Sequence, residues 1–241
     1  VIIGATDPNP KVAGRGIAAL KAAGVEVISG VLEADCLELN KRFYCLHTKK
    51  RPYIILKWAQ TGDGYIAPKD YKKGKVFWIS DADSQQLAHR WRAEEHAILV
   101  GRKTVVNDNP KLTTRKWKGN NPIRLVIDPS NSIDENAHIL NGDAKTVVFN
   151  NSLTKKEANV NWVSITNPEI LNGILNWCSN NEIQSIIVEG GAATIYEFMK
   201  SNFWDECRVI ETPKLMGNGL KAPMLPKGKK ISKKIVGDIL H

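Results

Sequence analysis

The sequence predicts an α/β protein whose mostly parallel sheet is flanked by helices. After residue 50, short β-branched and apolar runs alternate with longer amphipathic segments, the pattern of strand–helix–strand units. One run, Ser185 to Val188, leads directly into Gly190-Gly191 and a helical segment, as a strand buried on both faces does. With 241 residues, of which 42% are hydrophobic, the chain is long enough to form a sizeable core.

The first fifty residues predict a small α/β segment of their own. We expect strands over residues 1–4 and 25–31, a small-residue helix over 16–23 and an amphipathic helix over 33–46. The basic stretch at residues 49–51 and Pro52 then break the pattern. We therefore expect a domain boundary near residue 50, which separates residues 1–50 from residues 51–241.

The elements after this boundary follow in a regular alternation. A helix over residues 81–95 can be capped by Ser80 or Asp81, whose side chains can accept from the free amides of the first turn. A late edge strand over residues 205–213 can run antiparallel. The other predicted strands cover residues 53–59, 78–79, 97–101, 123–128, 146–150, 161–165 and 185–188, and further helices cover 168–180 and the residues after Gly191.

Composition limits the classes of partner. The net charge of +9 fits either nucleic acid or phosphorylated small molecules, but the basic clusters carry no interleaved aromatic residues, so we expect no nucleic acid. No apolar run approaches the roughly 20 residues that span a bilayer, so we expect no membrane segment and a cytoplasmic location. The cysteines at positions 36, 45, 178 and 207 are scattered, so we expect neither disulfides nor a metal site.

The turn at Gly190-Gly191 has the geometry of an anion-binding site. Glycine lets the chain turn sharply, and the first amides of the following helix, around Ala192 to Thr194, can bind a phosphate at the positive end of the helix dipole. A carboxylate at Glu189 would be repelled by that phosphate unless it faces a second ligand. An ordinary strand-to-helix turn is the alternative, because a lone glycine pair is a weak motif.

Two further segments place polar groups where parallel strands end. Lys57 lies in an apolar strand and must reach either solvent or a carboxylate, so it is either an ordinary strand-end lysine or part of a site. The segment 102–115 reads as a loop whose Asp108 suits ribose hydroxyls and whose Arg115 suits phosphate. Arg92 could point at the same anion. Ligands of open α/β sheets bind at this edge.

Together these segments resemble the reductase domain of the RibD family of riboflavin biosynthesis proteins. The resemblance rests on the order and spacing of residues 57–64 (KWAQTGDG), 78–80 (WIS), 92–101 (RAEEHAILVG), 104–115 (TVVNDNPKLTTR) and 188–191 (VEGG). It implies a dihydrofolate-reductase-like fold for residues 51–241. Residues 1–50 resemble the tail of that family's zinc deaminase domain, but they lack the H-x-E and P-C-x-x-C elements, so deaminase activity is not expected.

The resemblance also implies an activity. It is the NADPH-dependent reduction of 5-amino-6-(5-phosphoribosylamino)uracil to its ribitylamino form, by a homo-oligomer that needs no metal. The implied substrate contacts are Arg92, Leu112, Arg115 and Glu189, and Lys57 and Glu189 are the implied catalytic residues. The implied NADP contacts are Ala59, Trp78, Thr104, Asp108, Gly191, Ala192, Ala193, Thr194, Ile195, Tyr196 and Glu197.

Two other functions stay open at the level of sequence. A related pterin or pyrimidine reductase would share the cofactor site, and oxidation of NADPH by dihydrofolate would reveal it. A non-catalytic nucleotide-binding module would bind NADPH without turnover.

Overall fold

The computed structural model describes residues 1–71, 77–165 and 170–224, together with the backbone of residues 234–236 and 238–240. Within these residues the chain forms two compact units. One contains Val1–Tyr53 and Leu175–Gln184, and the other contains Ile54–Ile174 and Ser185–His241. In the described residues no helix is long and apolar enough to cross a membrane.

Besides most of the helix Ile170–Asn180, the first unit contains three helices and a two-stranded parallel sheet from its N-terminal segment. Strand β1 (Ile2–Ile3) pairs with β2 (Ile28–Ser29), and the helices are α1 (Arg15–Ala22), α2 (Glu33–Leu39) and α3 (Lys41–Lys49). The single helix predicted over residues 33–46 is therefore wrong, because it is broken at Asn40. The Asn40 side chain donates to the Cys36 carbonyl at 3.0 Å, in competition with the helical backbone.

The rest of the chain builds a large sheet with helices. The helices are α4 (Ala82–Glu94), α5 (Arg102–Asp108), α6 (Ile170–Asn180) and α7 (Ala192–Lys200), with a 3-10 turn at His138–Leu140. The strands are β3 (Tyr53–Thr61), β4 (Tyr65–Pro68), β5 (Ala97–Gly101), β6 (Ile123–Ile127), β7 (Thr146–Asn150), β8 (Lys155–Glu157), β9 (Val160–Ser164), β10 (Ser185–Val188), β11 (Glu206–Thr212), β12 (Gly219–Lys221), β13 (Lys234–Val236) and β14 (Asp238–Leu240).

The sheet is mostly parallel, which confirms the predicted fold class. Its strand order in the described residues is β13-β14-β11-β3-β10-β5-β6-β7-β9-β8. The pairs β11/β3, β10/β5, β5/β6, β6/β7 and β7/β9 run parallel, whereas β14 and β8 add antiparallel strands. The side chains of Ile98, Leu99, Ile186 and Ile187 are fully buried. Strands β5 and β10 therefore form the centre of the core and hold their carboxyl ends in fixed positions.

Strand β11 is not the edge strand that the sequence predicts. It lies between β14 and β3, runs parallel to β3 and places Arg208 opposite Lys57. The strand is amphipathic enough to suggest an edge. Strand β14 pairs with the outer side of β11 and so removes its free edge. Because β14 is short and lies far along the chain, its sequence gave little sign of a strand.

Smaller differences concern short elements. The predicted strand at residues 78–79 is irregular, and the Ile79 carbonyl accepts from the Lys214 ammonium group instead of from a neighbouring strand. The predicted loop after Gly101 begins as α5, and β4, β8 and β12 are too short to show a clear period. Asp81 is the cap of α4, since its side chain accepts from the Ser84 amide at 2.8 Å. The first residues of the helix predicted over 168–180 lie outside the described residues.

Candidate active site

Three charged side chains from separate elements meet beside the carboxyl end of β10. Lys57 comes from β3, Glu189 directly follows β10, and Arg92 lies in the last turn of α4. The Arg92 guanidinium donates two hydrogen bonds to the Glu189 carboxylate, from Nη2 to Oε2 at 2.6 Å and from Nε to Oε1 at 3.2 Å. The Lys57 ammonium lies 3.9 Å from Oε1. The carboxylate that Lys57 was expected to need is thus Glu189.

Burial makes this charge cluster strongly coupled. The exposed fractions of the side chains are 13% for Lys57, 13% for Arg92 and 8% for Glu189. Burial raises the pKa of Glu189, but Arg92 and Lys57 more than offset it and hold that pKa at about 2. Burial lowers the pKa of Lys57, Arg92 lowers it further, and Glu189 opposes both. At neutral pH Glu189 is therefore a carboxylate with no proton to give.

A second layer of polar groups surrounds Arg92. The Thr113 carbonyl accepts from Arg92 Nη1 at 3.4 Å, and the Thr113 hydroxyl accepts from Arg115 Nη1 at 3.0 Å. The imidazole of His89 is buried in α4, close to the backbone of Thr113. Burial, Arg92 and Arg115 lower the pKa of His89 to about 4, so the ring is neutral at pH 7. Arg115 itself is exposed.

At the glycine turn beside this cluster, the unit formed by β10 and α7 packs closely against the unit formed by β5 and α5. The Gly191 amide donates to the Thr104 hydroxyl of α5 at 3.0 Å. A Cβ on Gly190 would lie 2.8 Å from Thr194 Cβ, and one on Gly101 would lie 2.6 Å from Thr194 Oγ1. Glycine is therefore required at these two positions for close packing around Thr194.

The structure corrects the reason we expected for glycine at position 191. Its backbone is in the ordinary extended region, with φ −60° and ψ 167°, and Gly190 also lacks a positive φ. A Cβ on Gly191 would make an ordinary contact, 3.6 Å from Thr104 Oγ1. Gly191 is exposed, so a side chain at this position would project into the space in front of the N-terminus of α7.

Helix α7 begins at this junction with unoccupied donors. No side chain caps it, and its first helical hydrogen bonds run from Thr194 and Ile195 to the Gly191 carbonyl. The amides of Ala192 and Ala193 precede those bonds, so they are available to an anion. Among the other residues predicted here, Ile195 is fully buried and can offer a ligand its backbone alone, whereas Tyr196 and Glu197 are exposed.

Four other predicted residues lie outside the cluster of Lys57, Glu189 and Arg92. Ala59 is half-buried in β3, and Trp78 is 57% exposed. Asp108 accepts a hydrogen bond from the Tyr71 hydroxyl. Leu112 is buried with a positive φ of 53°, an unfavourable backbone conformation for a branched side chain.

Sequence reasoning missed His89, Thr113 and Tyr71. His89 lies one helical turn before Arg92, so a helix drawn over residues 81–95 already places the two on one face. That spacing was the available signal for His89. Nothing local distinguishes Thr113 from Thr114, because their difference lies in which residues they contact. Across residues 1–71, 77–165 and 170–224, no group of three or more His, Cys, Asp or Glu side chains is arranged to hold a metal ion.

The fold and site define a class, that of α/β domains with ligand sites at the carboxyl ends of parallel strands. A glycine junction, an open helix N-terminus and a buried charge cluster all meet at that edge. Comparison with known families is more specific. Residues 52–237 match the RibD C-terminal domain, and the chain belongs to that family.

Individual relatives agree with this assignment. The riboflavin biosynthesis protein RibD of Aquifex aeolicus is 38% identical over 226 residues, which cover 91% of this chain and 63% of the relative. RibD of Bacillus amyloliquefaciens is 35% identical over 239 residues, covering 95% and 63%. The chain thus spans less than two thirds of the length of these relatives.

A solved structure is also similar over the whole chain. It is a diaminohydroxyphosphoribosylaminopyrimidine deaminase/5-amino-6-(5-phosphoribosylamino)uracil reductase from Thermotoga maritima, at 32% identity with a TM-score of 0.86. The match covers 100% of this chain and 69% of that one.

Proposed function

We propose that this chain carries out the NADPH-dependent reduction of 5-amino-6-(5-phosphoribosylamino)uracil to 5-amino-6-(5-phosphoribitylamino)uracil. The observation that carries the proposal is the buried Lys57–Glu189–Arg92 cluster, which lies beside an open helix N-terminus in a domain of the RibD C-terminal family. The cluster suits the reacting sugar, and the helix N-terminus suits the phosphates of a dinucleotide.

The chain's own residues fit a dinucleotide at the glycine junction. The amides of Ala192 and Ala193 are available to an anion, and the bare surface of Gly191 lets a pyrophosphate approach the backbone. Thr104 holds Gly191 in place. When bound, the reduced nicotinamide supplies the hydride, and the protein supplies orientation and electrostatics.

The charge states assign different roles to Lys57 and Glu189. Reduction of the opened ribose, as its C1′=N imine, adds a hydride to C1′ and a proton to the nitrogen. Glu189 cannot donate that proton, because its pKa is about 2. The Lys57 ammonium can, and burial lowers its pKa toward the working range of a general acid. Glu189 accepts hydrogen bonds from the ribose hydroxyls and holds Lys57 and Arg92 in position.

The two arginines also differ. Three nitrogens of Arg92 are already engaged by Glu189 and the Thr113 carbonyl, whereas Arg115 is exposed and makes its bond to the Thr113 hydroxyl. We assign Arg115 to direct contact with the terminal phosphate, and Arg92 to the side of the substrate nearer Glu189. Lys57, Arg92 and Arg115 outnumber Glu189 by two positive charges, which matches a phosphate dianion.

The test is a steady-state assay with this substrate. Loss of absorbance at the reduced-nicotinamide band should depend on both substrate and protein, and mass spectrometry should find a product heavier by two hydrogens. NADPH binding without turnover would contradict the proposal and favour a non-catalytic module. Faster turnover with dihydrofolate than with the phosphorylated aminouracil would instead favour a different reductase.

Three finer expectations remain proposals that rest on the family. They are a cytoplasmic location, a homo-oligomeric state and the origin of residues 1–50 in a deaminase domain. Sedimentation of the purified chain tests the oligomeric state, because a single monomeric species at micromolar concentration would contradict it.

A further inference from the structure

The segment that carries Thr113 is buried and conformationally strained. Leu112 has a left-handed backbone although its side chain is branched and buried, and the next two residues, Thr113 and Thr114, are also buried. Strained backbone persists where the surroundings hold it, and it concentrates at functional sites.

Thr113 is the common hydrogen-bond partner of the two arginines assigned to the substrate. Its carbonyl accepts from Arg92 and its hydroxyl accepts from Arg115. The guanidinium groups are close enough for Arg92 to lower the pKa of Arg115, after the larger effect of burial. Two like charges at this separation repel, so an acceptor shared between them stabilises the pair.

We propose that Thr113 is a positioning residue for the phosphate end of the substrate: its hydroxyl sets Arg115 in the orientation that receives the phosphate, and its carbonyl holds Arg92 beside it. The inference rests on the proposed function and deepens it. The Thr113 side chain does not need to touch the reacting atoms, so the expected defects lie in substrate binding rather than in the chemical step.

Neighbouring threonines provide a matched pair of variants. Thr113→Val removes the acceptor for Arg115, whereas Thr114→Val removes a hydroxyl that is equally buried but bonded to Asn121 and the Gly119 carbonyl. We expect Thr113→Val to raise the KM of the phosphorylated substrate about tenfold, from loss of a charged hydrogen bond. Thr114→Val should leave that KM within about twofold, the scale of a distant neutral change. Equal KM changes in the two variants would overturn the role of Thr113.

Calorimetric binding of ribose 5-phosphate separates this inference from the proposed function. We expect the unmodified protein to bind it and Thr113→Val to bind it at least about tenfold more weakly. Binding with that loss but without reduction of the aminouracil would overturn the proposed function and leave the positioning role supported. No binding by the unmodified protein, or equal binding by the unmodified protein and Thr113→Val, would overturn the positioning role.

Discussion

Replacing Glu189 by glutamine should expose how much the buried charge cluster contributes to stability. The pKa of Glu189 falls from the ordinary 4.5 to about 2 in the folded protein. At about 1.4 kcal/mol per pKa unit, this corresponds to about 3 kcal/mol of stability at pH 7. Removing one partner of a buried ion pair has a similar effect, about 3–5 kcal/mol. We expect Glu189→Gln to lower Tm by about 6–12 °C.

The stability difference between the wild type and Glu189→Gln should depend on pH, and the direction of the Glu189 pKa shift sets the direction of that dependence. A carboxyl group whose pKa is depressed on folding contributes its full stabilisation above the unfolded pKa, and the contribution is lost as pH falls through the folded value. The difference in stability between the wild type and Glu189→Gln should therefore be greatest above pH 4.5 and should shrink toward about pH 2. Urea denaturation at pH 7, 4 and 3 measures it.

An exposed ion pair on α4, the helix that carries Arg92, supplies the control. Arg90 and Glu94 are also 2.6 Å apart, but their side chains are 51% and 41% exposed. Because solvent screens such pairs, Glu94→Gln should change stability by about 0.5 kcal/mol or less. Equal losses for Glu94→Gln and Glu189→Gln, or a Glu189→Gln loss that does not shrink in acid, would refute the burial argument.

Turnover by Glu189→Gln and Lys57→Met tests the catalytic proposal separately from the stability argument. Glu189→Gln should keep the NADPH dissociation constant within a few-fold and lower kcat by about a hundredfold or more. Lys57→Met should behave alike, and the double variant should lose little more than either single variant, because groups that act as a unit are not additive. Near-normal turnover in Glu189→Gln would leave that residue as a structural partner of Arg92.

Three further outcomes are expected. Gly190→Ala should destabilise the protein by about 1–3 kcal/mol through overpacking against Thr194, whereas Gly191→Ala should be nearly neutral; equal urea midpoints would contradict this difference. NADPH should bind more tightly than NADH, since the chain carries a net charge of +9 and belongs to this family; equal calorimetric dissociation constants would remove the expectation. If Lys57 is the acid, kcat should fall as pH rises through a pKa below 10.5, and a pH profile of Lys57→Met should lack that limb.

The parts of the structure that the sequence predicted are those with strong local signals. Strands such as β5 and β10 are continuous apolar runs, and the Asp81 cap marks the start of α4, so their positions follow from residues close in sequence. The meeting of Lys57 with Glu189 is different. It requires β10 to lie between β3 and β5, although β10 follows them by more than 80 residues. The resemblance to a family supplied that pairing, and periodicity alone did not.

The features that sequence reasoning missed depend on long-range contacts. The Arg92–Glu189 bond joins residues 97 positions apart, so no local pattern pairs Arg92 with a carboxylate instead of a phosphate. Strand β14, which pairs with the outer side of β11, carries only three residues, too few for a period, and this left β11 looking like an edge. At Gly191 the conformational reason expected for glycine was wrong, since its backbone is ordinary and the residue is exposed.

The arrangement of charges explains why a carboxylate can lie so close to an anion-binding helix. Glu189 follows β10 and precedes the open end of α7, where a second anion would repel it in low dielectric. Arg92 covers both of its oxygens and Lys57 approaches from the neighbouring strand, so the carboxylate is neutralised before any ligand arrives. The helix amides then remain available to a phosphate. Burial lowers the pKa of Lys57 and Glu189 opposes that effect, and a lowered pKa is what the proposed role of Lys57 as a proton donor requires.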